Sequence, residues 1–180
     1  MKSSILQMLA IILLGSCHAQ QAKTKKDTVM NETKKDNPVY SNTDTGKIDL
    51  SNAEWRKILP QDLYQIAREK GTERAFTGKY WNSFDTGTYY CGACGNPLFK
   101  SDGKFNSSCG WPSFFEPITK GSIIYAADNS YGMQRTEVMC GRCKSHLGHV
   151  FEDGPPPTGL RYCINGNVLD FQKAKDKGQH

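Results

Sequence analysis

The sequence predicts a mainly β domain of antiparallel strands joined by hairpins and long loops, with short helices at its N-terminal side. Three observations carry that prediction. Beyond Gly78, short runs of aromatic and β-branched residues are broken repeatedly by Gly, Asn and Pro, the pattern of short strands separated by turns. Between Leu50 and Gly71 the apolar residues instead recur near helical spacing. Two matched Cys-x-x-Cys pairs, "CGAC" and "CGRC", lie among the strand-like runs and have the geometry of knuckles that share one metal ion.

The chain opens with "MKSSILQMLAIILLGSCHAQ": a positive start, then an apolar run from Ile5 to Leu14 that is too short to span a bilayer. This reads as a secretory signal. Leu14-Gly15-Ser16-Cys17 resembles a lipobox, in which Cys17 becomes the lipidated first residue of an exported lipoprotein; the other reading is ordinary cleavage after Ala19. Residues 18–49 are rich in Lys, Asp, Asn, Thr and Gln and hold no Leu, Phe or Trp, so they read as a disordered tether. The domain is expected over 50–172, and residues 173–180 as a flexible tail.

Within the domain, "SNAEWRKILPQDLYQIAREKG" begins with a Ser/Asn cap signal, breaks at Pro60 and stops at Gly71, which predicts two helices, the second over 61–70. Strands are expected in "GTYYC", "PLFKS", "KFNS", "SIIYAAD", "TEVMC", "HVFED", "LRYCIN" and "VLDF". A chain of 180 residues that is 37% hydrophobic supports one core. The net charge of +5 is scattered without a dense basic stripe, which argues against nucleic acid as a partner. No Rossmann fingerprint or phosphate-binding glycine loop is present.

Six of the seven cysteines fall in the expected domain. Cys91, Cys94, Cys140 and Cys143 suit a structural Zn2+, since four thiolates leave no open position for catalysis. A redox dithiol or two local disulfides are the competing readings for an exported protein. A mixed site built from "CGRCKSHLGH" with His146 and His149 is a third, though it strands Cys91 and Cys94. The remaining two, Cys109 and Cys163, read either as a structural disulfide or as reactive thiols. On a strand, Arg161, Cys163 and Asn165 share one face while Tyr162 and Ile164 face the core. A thiol between a guanidinium and an amide favours the thiolate.

"YYCGACGNPLF", "KFNSSCGWPSF" and "GMQRTEVMCGRCKSHLGHVFEDGPPPTGLRYCINGNVLDF" closely resemble the B-type methionine-R-sulfoxide reductases, MsrB, over roughly Trp55 to Phe171. Such enzymes reverse methionine sulfoxide formation. The resemblance implies two antiparallel sheets and no organic cofactor. It implies Cys163 as the catalytic thiolate and Cys109 as the cysteine that resolves its sulfenic acid to a Cys109–Cys163 disulfide. It places Cys91, Cys94, Cys140 and Cys143 as zinc ligands, and His146 and His149 as groups that orient and protonate the sulfoxide. Arg161 and Asn165 are donors on the nucleophile's face. A methyl thioether needs an aromatic wall, for which Trp111 is the candidate; Phe114 belongs to the same wall or to the core.

Two residues depart from the family pattern, Ser108 before Cys109 and Gly166 after Asn165, and both bear on how Cys109 reaches Cys163. The implied partners are oxidised proteins and a thioredoxin-like reductant, with membrane association only through a lipid anchor. A monomer in the cell envelope or periplasm, repairing proteins after oxidative stress, is the expectation. The competing functions are a zinc-ribbon binding module and an envelope thiol-disulfide oxidoreductase. Against the second, Cys109 and Cys163 lie more than fifty positions apart, whereas redox dithiols usually sit close in sequence.

Overall fold

The structure, a computed structural model, describes residues 37–175. The signal, Cys17 and residues 18–36 of the expected tether lie outside the described residues, as do residues 176–180. Helix α1 spans Asn52–Ile58 and starts on a capping box: Ser51 Oγ accepts from the Glu54 amide, and the Glu54 carboxylate accepts from the Ser51 amide. This satisfies two amides that a helix start leaves orphaned. Pro60 cannot continue α1 but is pre-organised to begin another helix, and α2 follows over Gln61–Ala67. Trp55 on α1 and Tyr64, Ile66 and Ala67 on α2 are buried.

Nine strands follow among the described residues: β1 Gly87–Cys91, β2 Pro97–Lys100, β3 Lys104–Phe105, β4 Ser113–Phe114, β5 Ile123–Asp128, β6 Arg135–Cys140, β7 His146–Phe151, β8 Arg161–Ile164 and β9 Leu169–Lys173. They form two sheets, one of three strands in the order β2-β1-β9 and one of six in the order β3-β4-β8-β7-β6-β5. Every pairing is antiparallel, the arrangement expected from the sequence. The strand missed was β4, because Pro112 beside it speaks against a central strand; it is only two residues long.

Aromatic rings join the two sheets. Phe99 on β2 stacks on Phe114 on β4 at 4.4 Å and 14°, and Tyr89 on β1 meets Phe114 at 5.0 Å and 70°. Phe99 also approaches Tyr162 on β8 at 5.9 Å. Tyr89, Phe99 and Phe114 are fully buried. Here the placement of Phe114 on the substrate wall is corrected. It pairs with Tyr162, while its neighbour Ser113 pairs with Cys163, so alternation sends the Phe114 ring to the core face.

The segment 37–49, assigned to the tether on composition, lies against the cysteine knuckles. Arg142, in the middle of "CGRC" and almost fully buried, donates to the carbonyls of Val39, Gly46 and Cys94 and pairs with Asp44 at 2.6 Å. Asn37 donates to the Ala93 carbonyl, and Ser41 N to the Cys94 carbonyl. Polar contacts to backbone hold this stretch, and composition carries no signal of those.

Candidate active site

Strand β8 lies between β4 and β7, with Cys163 opposite Ser113 on one side and His149 on the other. Directly opposed residues share a face, so Ser113, Cys163 and His149 form one row. The next residue in that row is Glu137, which pairs with His149 on β6.

His146 and His149 would face opposite ways on a regular strand, being three residues apart. They do not, because β7 carries one extra residue, Leu147, between the Val138–Gly148 and Met139–His146 pairs. Such a bulge re-aims the side chains that follow it. The two rings lie 5.5 Å apart at 66°. Between them Gly148 permits a close strand approach: a Cβ there would lie 2.0 Å from the Cys163 carbonyl oxygen.

Each histidine has a carboxylate behind it. His146 is buried, and its Nδ1 bonds to Glu137 Oε1 at 2.7 Å; the same carboxylate holds Lys70 Nζ at 2.6 Å. Burial pushes the His146 pKa down, opposed by Glu137. Nε2 of His149 donates to Asp128 Oδ2 at 2.7 Å, and Asp128 also pairs with Arg135 at 2.7 Å. The hydroxyl and amide of Ser130, then His149, hold the Asp128 carboxyl well below its ordinary range.

Cys109 lies on the loop between β3 and β4, with its Sγ 3.6 Å from that of Cys163. A disulfide needs about 2.05 Å, so a small shift of either side chain closes the bond. Ser107 Oγ stands 2.9 Å and Ser113 Oγ 3.4 Å from Cys109 Sγ. The two thiols ionise as a pair. The hydrogen bond from Cys163, helped by Ser107 and Ser113 and opposed by burial, pulls the Cys109 pKa down to about 4. The bond to Cys109 and burial push Cys163 up, with Arg161 working the other way. One proton leaves easily and the second with difficulty.

A hollow of ≈ 140 Å³ opens beside Cys163, with Trp111, Phe151, Gly148 and His149 on its walls and Thr72, Arg135 and Asn165 also lining it. Trp111 Nε1 donates to the Glu73 carbonyl at 3.2 Å. Of the residues expected at the site, Cys163, Cys109, His149, Trp111 and Asn165 come together here, with His146 behind His149.

Asn165 departs from the expected shared strand face, while Arg161 keeps it, two residues before Cys163 on β8. Asn165 lies past the end of β8 and is buried; its Oδ1 accepts from the Glu73 amide and its Nδ2 donates to the Leu147 carbonyl. Arg161 Nε and Nη2 make a two-pronged ion pair with Asp153, both at 2.8 Å, and the guanidinium covers the Phe151 ring at 4.5 Å. Sequence reasoning missed Phe151, Glu73, Asp128, Glu137 and Arg135. Alternation with His149 in "HVF" was a usable signal for Phe151. The other four act through partners that only folding sets beside them, for which there was none.

Cys91, Cys94, Cys140 and Cys143 form the other cluster, all buried, with ligand atoms within 4.8 Å of one another. A metal ion could be held there. The first pair ends β1 and the second ends β6, so the cluster links the small sheet to the large one. His146 and His149 are taken up by Glu137 and Asp128, which removes the mixed Cys/His reading.

Fold and site together define a small, mainly β thiol protein whose paired cysteines open on an apolar hollow. A family model described as the SelR domain matches residues 59–173. Among curated relatives, peptide methionine sulfoxide reductase MsrB of Agrobacterium fabrum is 56% identical over 126 residues, covering 70% of this chain and 93% of that one. The protein of the same name from Pseudomonas putida is 58% identical over 126 residues, 70% and 95% of the two chains. That from Acinetobacter baumannii is 51% identical over 137 residues, 75% and 99% of the two. The chain belongs to the SelR-domain family, the MsrB family.

The shared proton is testable by thiolate absorbance and alkylation across pH. Cys109→Ser removes the thiolate that opposes ionisation of Cys163, so Cys163 is expected to ionise at lower pH in that variant than in the wild type. A Cys163 titration that stays in place, or moves up, rules the coupling out.

Proposed function

We propose that the protein reduces methionine-R-sulfoxide in proteins to methionine, with Cys163 as nucleophile and Cys109 as resolving thiol. The observation that carries this reading is the Cys109–Cys163 contact of 3.6 Å at the hollow walled by Trp111 and Phe151, in a chain of this family. The apolar walls suit a methyl group and a polarisable sulfur.

In the first step Cys163 gives its proton to the Cys109 thiolate 3.6 Å away, and the Cys163 thiolate so formed attacks the sulfoxide sulfur. The sulfoxide oxygen is protonated, its bond to the methionine sulfur breaks as the oxygen passes to the Cys163 sulfur, the thioether leaves, and Cys163 ends as a sulfenic acid, two electrons oxidised. In the second, Cys109 attacks the Cys163 sulfur, an S–S bond forms and the oxygen leaves as water. A dithiol protein of the thioredoxin class then reduces the disulfide by exchange, which restores both thiols.

His149 is the proton donor on the hollow, with Asp128 fixing its orientation. His146 supports it from the buried side. Arg161 favours the Cys163 thiolate through its charge and a side-chain hydrogen bond, while its Nε and Nη2 are held by Asp153. Asn165 fixes the turn after Cys163 and borders the substrate.

The four-cysteine cluster holds structural zinc. Zinc–thiolate bonds of about 2.3 Å at tetrahedral angles put sulfurs about 3.8 Å apart. The pairs Cys91–Cys143 and Cys94–Cys140 lie 3.8 and 3.7 Å apart. The ion carries no substrate chemistry and, with four thiolates bound, has no open position.

The leader supports export, with lipidation of Cys17 and repair of oxidised proteins in the cell envelope or periplasm. A mature N-terminus without lipid would remove the anchor from this account. A monomer fits a site built within one chain.

Three protein preparations test the chemistry on a peptide carrying each sulfoxide epimer. The wild type is expected to reduce the R epimer alone with either dithiothreitol or thioredoxin. Cys163→Ser loses turnover with both, and Cys109→Ser keeps it with dithiothreitol but loses it with thioredoxin. Reduction of neither epimer by metal-loaded wild type overturns the reading.

Metal removal gives the second test. One zinc per chain is expected, and its extraction by a chelator under denaturing pressure lowers the melting temperature. Cys94→Ser reproduces that loss. Full thermal stability without metal, or a stoichiometric metal other than zinc, contradicts the assignment.

A further inference from the structure

Between α2 and β1 runs an irregular stretch whose Glu73 is nine-tenths buried. Both carboxylate oxygens and both backbone polar groups have partners. The carboxylate accepts from Gly166 N at 2.6 Å through Oε1 and from Asn167 N at 2.8 Å through Oε2. Its backbone amide donates to Asn165 Oδ1 at 3.1 Å, and its carbonyl accepts from Trp111 Nε1 at 3.2 Å. Gly78 leaves room for the carboxylate, since a Cβ there would lie 2.1 Å from Oε1.

Burying a carboxylate is costly, and filling the space with an apolar side chain would be cheaper if packing were its only use. What the carboxylate gains is a crosslink. It ties residue 73 to the turn just after Cys163, and the backbone atoms so fixed meet two side chains that line the hollow. Trp111 and Asn165 come from separate loops, and residue 73 is their common partner.

We propose that Glu73 is a positioning residue, which sets the Trp111 ring and the Asn165 amide around Cys163 by pinning the 165–167 turn to the stretch before β1. It touches neither substrate nor thiol. The inference rests on the reading of the hollow as the sulfoxide site, and deepens it: the aromatic wall is held by a carboxylate rather than by core packing.

The test uses the full, metal-loaded chain with Glu73→Gln. A neutral amide keeps the size but offers one acceptor to two N–H groups. The Trp111 indole N–H and the Gly166 amide are expected to exchange with solvent at least about tenfold faster, while the Val138 amide in β6 keeps its rate. For a peptide sulfoxide, kcat/KM falls about ten- to a hundredfold, more through KM than kcat. In an Asn165→Ala/Trp111→Phe background the same substitution adds less than about threefold, the non-additivity of residues that act as one unit.

Should Glu73→Gln fail to fold, Gly78→Ala displaces the carboxylate without touching Glu73, Trp111 or Asn165 and is expected to give the same selective exchange. Unchanged Trp111 exchange, equal loosening of Val138, or additive losses overturn the proposal. A wild type that turns over no sulfoxide, with Trp111 exchange still answering to Glu73→Gln, sinks the substrate reading and leaves the pinning standing.

Discussion

The position of β8 in the middle of the large sheet is the constraint on which the site depends. Cys163 has no local device to aim it; its direction is set by pairing to β4 and β7. A slip of one residue would turn Cys163 into the core and bring Tyr162 or Ile164 out. The register is held by that apolar pair, both buried, and by Gly148, whose missing side chain lets β7 approach the Cys163 carbonyl. Beyond the ladder, Ile164 N bonds to the Pro112 carbonyl and Asn165 N to the Leu147 carbonyl. The place of Cys163 is therefore bound to the loop before β4 and to the bulge of β7.

The two sheets meet through two kinds of contact at different places. One is the aromatic packing of Tyr89, Phe99 and Phe114, directly beneath the strands that carry Ser113 and Cys163. The other is the four-thiol cluster, where turns from each sheet converge. Aromatic packing is strong but not directional, whereas four ligands around one ion fix the relative placement of two hairpins. Arg142 extends the second contact, because its guanidinium ties 39–46 to the same turns. A helix-poor domain of this size gains rigidity from such a joint, and its reactive face needs it: sulfurs in contact at 3.6 Å hold their geometry only if β4 and β8 do not move apart.

Much of this was legible from residue pattern alone. Ser51 and Glu54 announced α1, Pro60 the break, and the aromatic runs most of the strands; the knuckles were visible as spacing. The family resemblance supplied the pairing of Cys109 with Cys163, whose contact no spacing could show. What failed did so for physical reasons. Phe114 was misplaced because only register decides which of two adjacent residues shares the face of Cys163. The stretch 37–49 read as tether because its polar side chains bind backbone groups that the sequence does not place beside them. Glu73, Asp128 and Glu137 are carboxylates among many, distinguished only by what folding brings to them. The bulge at Leu147 could not be read either, since "HLGH" on an unbroken strand sends its histidines to opposite faces.

That bulge also divides the labour between the two histidines. Both end on the reactive face, but His146 is deeper, with Glu137 and then Lys70 behind it, while His149 opens on the hollow with Asp128 and Arg135 behind it. Burial disfavours a charge on His146, which suits it to holding a neighbour rather than delivering a proton to solvent-exposed substrate. In His149 the bond from Nε2 to Asp128 leaves Nδ1 as the ring nitrogen available for a ligand. A carboxylate on the far nitrogen fixes the ring's tautomer and orientation. Each ring has a carboxylate partner, so access decides: in the proposed reaction the group that must give up a proton is the one that opens on the hollow, and the group without access holds its neighbour in place.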